Sequence, residues 1–124
     1  MFKTIASSIE SEIVEKKSRF ITNIFYVESE QEAEQKIKEI RKKYFDAKHH
    51  CFAYSIYDEN QIINRFSDDG EPSGTAGSPM LNILLTENFK NVVVIVTRYF
   101  GGILLGSGPL TRTYTKCASM LFIE

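Results

Sequence analysis

Apolar and polar positions change period several times along the chain, and each change marks an element. From Glu12 to Val27 the pattern predicts two strands, EIV and RFITNIFYV, joined by the charged link EKKS. Ser29 and Glu32 then stand at the S-x-x-E spacing of a capping box, where each side chain satisfies a free backbone N–H at a helix start. Ala33, Ile37, Ile40 and Tyr44 recur at helical spacing behind it, while Glu32–Lys36, Glu34–Lys38 and Glu39–Lys43 pair on the opposite, solvated face. His50 to Tyr57 alternates as a strand, DENQ turns the chain, and Ile62 to Phe66 returns as the second arm of a hairpin.

After the polar stretch 67–80 (SDDGEPSGTAGSPM), Ser78 is placed to cap a second helix with Pro79 at its first position, where a missing N–H costs nothing. That helix reads MLNILLTENF. Asn91 to Thr97 (NVVVIVT) is β-branched without alternation, which predicts a central strand covered on both faces. A second glycine-rich loop, GGILLGSG (101–108), leads into a third helix begun by Pro109, with Leu110, Tyr114, Cys117 and Leu121 as its buried stripe. The order is β-β-α-β-β-α-β-α, an α/β (α+β) sandwich. No linker, repeat or low-complexity tract divides it, so residues 1–124 read as a single domain, large enough at 124 residues to bury a core.

Composition changes this picture little. A formal net charge of -1 gives no whole-chain argument for nucleic acid or membrane, and no apolar run approaches the ~20 residues a bilayer span needs. Charge is nevertheless uneven: Asp58 to Glu71 holds five acids and one base, whereas Lys90 to Glu124 holds four bases and one acid. Cys51 and Cys117 each fall inside an apolar pattern, and two thiols without a disulfide framework, with no apolar leader before Ile13, predict a cytoplasmic location.

The chemistry concentrates in the two glycine-rich loops, because each feeds the N-terminus of a helix. Free N–H groups and the positive end of the helix dipole suit such ends to anions, and glycine lets a phosphate approach the backbone. Gly74, Thr75, Gly77 and Ser78 in the first loop, with Gly101, Gly102, Gly106 and Gly108 in the second, would supply donors. Arg98, Arg112 and Lys116 would supply charge, and Tyr99 and Phe100 rings on which a base stacks, with core packing as the competing use of at least one ring. The competing reading makes the glycines mere permits for tight turns and close packing. Named nucleotide motifs are absent: no Lys follows Gly74, Gly77 or Gly106 as a P-loop requires, and Thr111 stands where a dinucleotide fingerprint needs Gly.

Asp68, Asp69 and Glu71 are candidates for a divalent cation or for acid–base catalysis. Against this stands a structural reading, in which they cap turns or helices or pair with Arg98 or Arg65. His49, His50 and Cys51 do not make a zinc site, since consecutive strand residues face opposite sides and only Cys117 could join them. No cofactor and no metal is expected.

Four segments, KKSRFI (16–21), AKHHCFAY (47–54), FSDDGEPSGTAGSPML (66–81) and VIVTRYFGGILLGSGPL (94–110), together resemble the YigZ/IMPACT family, most closely its bacterial YigZ-type members. The resemblance implies a fold like the second domain of ribosomal protein S-five, with a four-stranded core sheet and helices on one face. It also implies that relatives continue into a ferredoxin-like second domain. This chain stops at Glu124, about where that domain would begin, as a one-domain version or a shortened chain. Functionally it implies a non-enzymatic binding module linked to RNA, the ribosome or the regulation of translation, the last through a protein partner. Two alternatives stand beside it: an enzyme on a phosphorylated or peptide-like small molecule using Asp68, Asp69 or Glu71, and a pure protein-interaction domain. Ser78 departs from the Lys or Arg common in relatives, and Pro109 from their Gly, so the anion surface loses one cation.

Overall fold

A computed structural model describes residues 1–122. The strands are β1 (Ile9–Glu15), β2 (Ser18–Tyr26), β3 (His49–Asp58), β4 (Gln61–Ser67) and β5 (Val92–Tyr99), and the helices α1 (Glu30–Lys43), α2 (Gly77–Thr86) and α3 (Ser107–Ala118), followed by a 3₁₀ turn at Ser119–Phe122. The β-β-α-β-β-α-β-α order is the one the patterning predicts.

All five strands join one antiparallel sheet in the order β1-β2-β5-β3-β4. Two-residue turns close both hairpins. Lys16 and Lys17 (φ 45° and 68°) link Glu15 to Ser18, and Glu59 and Asn60 (φ 49° and 65°) link Asp58 to Gln61. Positive φ at both central residues is the geometry whose twist matches the flanking strands.

Two details of the expected architecture are corrected. The sheet has five strands rather than four, because the alternating segment Ile9–Glu15 pairs with β2 along its whole length. The helices cover both faces rather than one. Val92, Val94 and Val96 of β5 pack with Met80 and Leu84 of α2 and Leu110 and Tyr114 of α3. Val93 and Ile95 point the other way, onto Ala33, Ile37 and Ile40 of α1. A strand apolar on both sides needs two covers, and side chains alternate across a strand. The central strand therefore divides the helices between the faces.

Helix starts follow local chemistry in one case and not in another. Ser29 caps α1, its Oγ accepting the Glu32 N–H at 3.1 Å. Ser78 does not cap α2. That helix begins one residue earlier, at Gly77, with Ala76 at the cap position and no capping bond from that residue's side chain. Pro79 still lies in the first turn, where no N–H is needed. The acceptor for these N–H groups comes from elsewhere in the chain.

Candidate functional site: a cleft between two glycine-rich loops

That acceptor is Asp68. Its Oδ1 accepts the N–H groups of Ala76 (3.1 Å) and Gly77 (2.8 Å), and its Oδ2 accepts that of Gly74 (2.9 Å). The N-terminus of α2 thus holds an anion already, and it is a residue of the same chain. Gly74 and Gly77 therefore have their N–H groups engaged internally. Gly77 is required for a steric reason: a Cβ there would lie 2.8 Å from the Phe66 ring and the Ser67 nitrogen. Thr75 turns inward as well, donating to the Pro72 carbonyl at 2.6 Å.

The neighbouring acids are equally committed. Asp69 accepts the backbone N–H of His50 at 2.7 Å and pairs with Arg41, while its carbonyl accepts the Nδ1–H of His49 at 2.8 Å. Glu71, 7% exposed, receives two contacts of 2.9 Å from Nη1 of Arg98, itself 5% exposed. The Tyr114 hydroxyl donates to the second oxygen of Glu71, and Nε2 of His49 lies 3.5 Å from the first. Arg65 pairs instead with Glu30. Burial raises Tyr114 well above the usual phenol range, so it remains a donor. Cys51 donates to the Asp68 carbonyl at 3.1 Å, and burial pushes its thiol far up, which removes it as a nucleophile. Among the described residues no group of three His, Cys, Asp or Glu is placed to hold a metal ion.

The second loop is anchored by Ser18, the first residue of β2. Its Oγ accepts Nη2–H of Arg98 at 3.2 Å and the N–H of Gly101 at 3.3 Å. Gly101 lies directly on the β1–β2 turn, since an added Cβ would come within 2.1 Å of the Lys17 carbonyl. Gly102 has φ 88°, a conformation that glycine tolerates and other residues resist. Tyr99 and Phe100 face opposite sides. Tyr99 donates to Asp46 at 2.7 Å and packs edge-on against Tyr44, with the Arg19 guanidinium over its ring. Phe100 stays 42% exposed, with Lys48 and Arg98 at 5.6 and 5.7 Å from its centroid.

The two loops enclose a cleft of about 230 Å³. Its polar part consists of Lys48, His49, Glu71 and Arg98, and its walls are Pro72, Phe100, Leu104, Leu105 and Leu110. Leu104 is 83% exposed. The three predicted cations do not converge. Arg98 sits in this cleft, while Arg112 and Lys116 line a separate hollow with Glu15 and Pro109. The N-terminus of α3 has Gly106 at its cap position, no side-chain cap, and exposed Ser107 and Gly108. Lys48 and Leu104 line the cleft, and Ser18 and Tyr114 hold its Arg98 and Glu71. Sequence reading assigned none of the four to a site, because each role is defined by residues far away in the chain. The order of the KKSRFI, AKHHCFAY and VIVTRYFGG segments held the available signal.

Residues 16–122 match the Impact N-terminal domain. The chain is 50% identical over 116 residues to the IMPACT family member YvyE of Bacillus subtilis, which spans 94% of this chain and 53% of that protein. One similar solved structure, described as that of a hypothetical protein, superposes with a TM-score of 0.90 at 36% identity, covering 96% of this chain and 58% of the other. Another, the two-domain translational regulator Yih1, gives 0.62 at 25% identity, covering 94% and 47%. The chain spans about half the length of the curated bacterial relatives it matches, 53% and 49% for the first two. On the family match over residues 16–122 and this level of identity, the chain belongs to the IMPACT family.

Proposed function

We propose that this domain is a non-enzymatic binding module that serves the regulation of translation through a protein partner, with the cleft between the 67–77 and 99–106 loops as its recognition surface. The observation that carries the reading is the contrast between the loops' polar and apolar groups. Asp68, Asp69 and Glu71 spend their oxygens on N–H, Arg and Tyr donors of the same chain, whereas Phe100, Ile103 and Leu104 face solvent side by side. Structural roles account for carboxylates held this way. A loop that displays apolar side chains beside a cation suits protein recognition. The link to translation is supported by family membership and by the likeness to Yih1, described as a translational regulator.

The test is affinity capture from cell extract with the wild-type domain and with Leu104→Asp. A translation factor or ribosome-associated protein held by the wild type and lost with Leu104→Asp is the expected result. A partner retained equally by both proteins would place the surface elsewhere.

The exposed Arg112 and Lys116 beside the uncapped end of α3 support a second reading, contact with RNA or the ribosome. Two phosphate contacts to a single strand would give a slope of about -1.4 in log K against log salt. Arg112→Ala with Lys116→Ala would then abolish binding, and a flat salt dependence would sink this reading.

A further inference from the structure

We propose that the cleft receives the C-terminal residue of an apolar-ended peptide. The terminal carboxylate would meet Lys48 and Arg98, and the side chain would lie between Phe100, Leu104 and Leu105. This rests on the reading of the cleft as the recognition surface and names the group it recognises.

Size comes first. The cleft measures about 230 Å³. That falls below the roughly 300–1,000 Å³ of sites for drug-sized ligands. It suits the side chain and carboxylate of one residue, with the rest of a longer ligand projecting from its open side.

Charge comes second. Lys48 and Arg98 against Glu71 leave a formal excess of one positive charge, suited to a carboxylate monoanion. Both oxygens of Glu71 are already engaged by Arg98 and Tyr114. Arginine carries five N–H donors. Nη1 of Arg98 is directed at Glu71, while Nε and Nη2 each make one contact with Ser18 at 3.4 and 3.2 Å. Nη2 bears two hydrogens, so one is unspent among the described residues. Lys48 likewise has no carboxylate partner there, its ammonium lying over the Phe100 ring.

The walls then select the kind of carboxylate. An internal aspartate or glutamate brings only a short stem to them. A terminal Leu or Phe carries its carboxylate and a full apolar side chain on one Cα, which matches the buried Arg98 and the exposed Lys48 flanked by Phe100, Leu104 and Leu105. Arg98 is held in place beforehand by Ser18 and Glu71, and His49 by the Asp69 carbonyl, which lowers the ordering needed on binding.

Nitrogen-15 amide and Arg98 Nε–H shifts would be followed while three acetylated tripeptides are titrated: Ala-Ala-Leu with a free carboxyl, the same peptide as its amide, and Ala-Glu-Ala-amide. The expected result is that the free acid shifts Gly70, Phe100, Leu105 and the Arg98 Nε–H, and that both amides bind at least about tenfold more weakly. A charged hydrogen bond of ~1.5–3 kcal/mol corresponds to that factor. Lys48→Glu, with its fold checked by the same spectrum, should lose a similar factor for the free acid. Equal binding of the leucine acid and its amide, or of the internal glutamate peptide, overturns the proposal while leaving the cleft a recognition surface. Absence of shifts with all three also overturns it. The capture comparison with Leu104→Asp then judges the broader reading separately.

Discussion

At the scale of single residues, the most consequential side chains are those that answer one another across distant segments. Asp68 accepts three N–H groups, more than an ordinary helix cap. Asp68→Ala should therefore cost about 2 kcal/mol, at the upper end of cap losses, as read by urea denaturation. Arg98→Met would strand the Glu71 carboxylate in the interior, at a cost of roughly 3–5 kcal/mol. Adding Glu71→Gln to Arg98→Met should restore a large part of the loss, because the uncompensated charge is then gone. A double variant no more stable than the single one would show that the charge is not the source of the cost. His50 offers a pH test. Burial, with a smaller contribution from Arg41, holds its pKa below the usual value of 6.5. The folded state thus favours the neutral ring, and stability present above pH 6.5 should fall as pH drops through that value, levelling off below the depressed folded pKa. His50→Asn should flatten this part of the stability-versus-pH curve.

At the scale of elements, the glycine loops act as packing joints as much as loops. Gly101 has the Lys17 carbonyl where a Cβ would go. Gly101→Ala must push the 99–106 loop off the β1–β2 turn and break the Ser18 contact. We expect a loss of about 1–3 kcal/mol, the usual range for overpacking, with chemical-shift changes spreading to Phe100 and Leu104. Gly106, where an added Cβ meets only Pro109 at 3.7 Å, is the control and should tolerate alanine within about 1 kcal/mol. Equal effects at the two positions would mean that close approach at Gly101 is not the constraint. The Ser29 cap of α1 was legible because Ser29 and Glu32 lie within one turn. The true start of α2 was not, because its acceptor is eight or nine positions back and reaches the helix only through the turns at Gly70 and Gly74.

At the scale of the whole molecule, the sheet carries two cores that meet at β5. Strand β5 is buried from Val92 to Arg98 and flanked by β2 and β3, while β4 lies at an edge with Ile62 and Phe66 exposed. Native-state hydrogen exchange should therefore find the slowest amides in Val92–Arg98, approaching the global unfolding free energy, and much faster ones along β4. Comparable protection in both strands would show that the two cores and the edge open as one unit.

The sequence by itself determined the element order, the buried stripes, the two-sided central strand and the family resemblance, since all of these depend on residue type and on short-range periodicity. Only the tertiary structure decided that five strands join one sheet and that the helices divide between its faces. It alone showed that Arg98 answers Glu71 while Arg112 and Lys116 lie apart, and that Asp68 occupies the helix end which spacing had marked as open. Periodicity reports which side of an element is apolar. Which distant carboxylate reaches which donor depends on where folding brings the loops together, and no local pattern along the chain carries that distance.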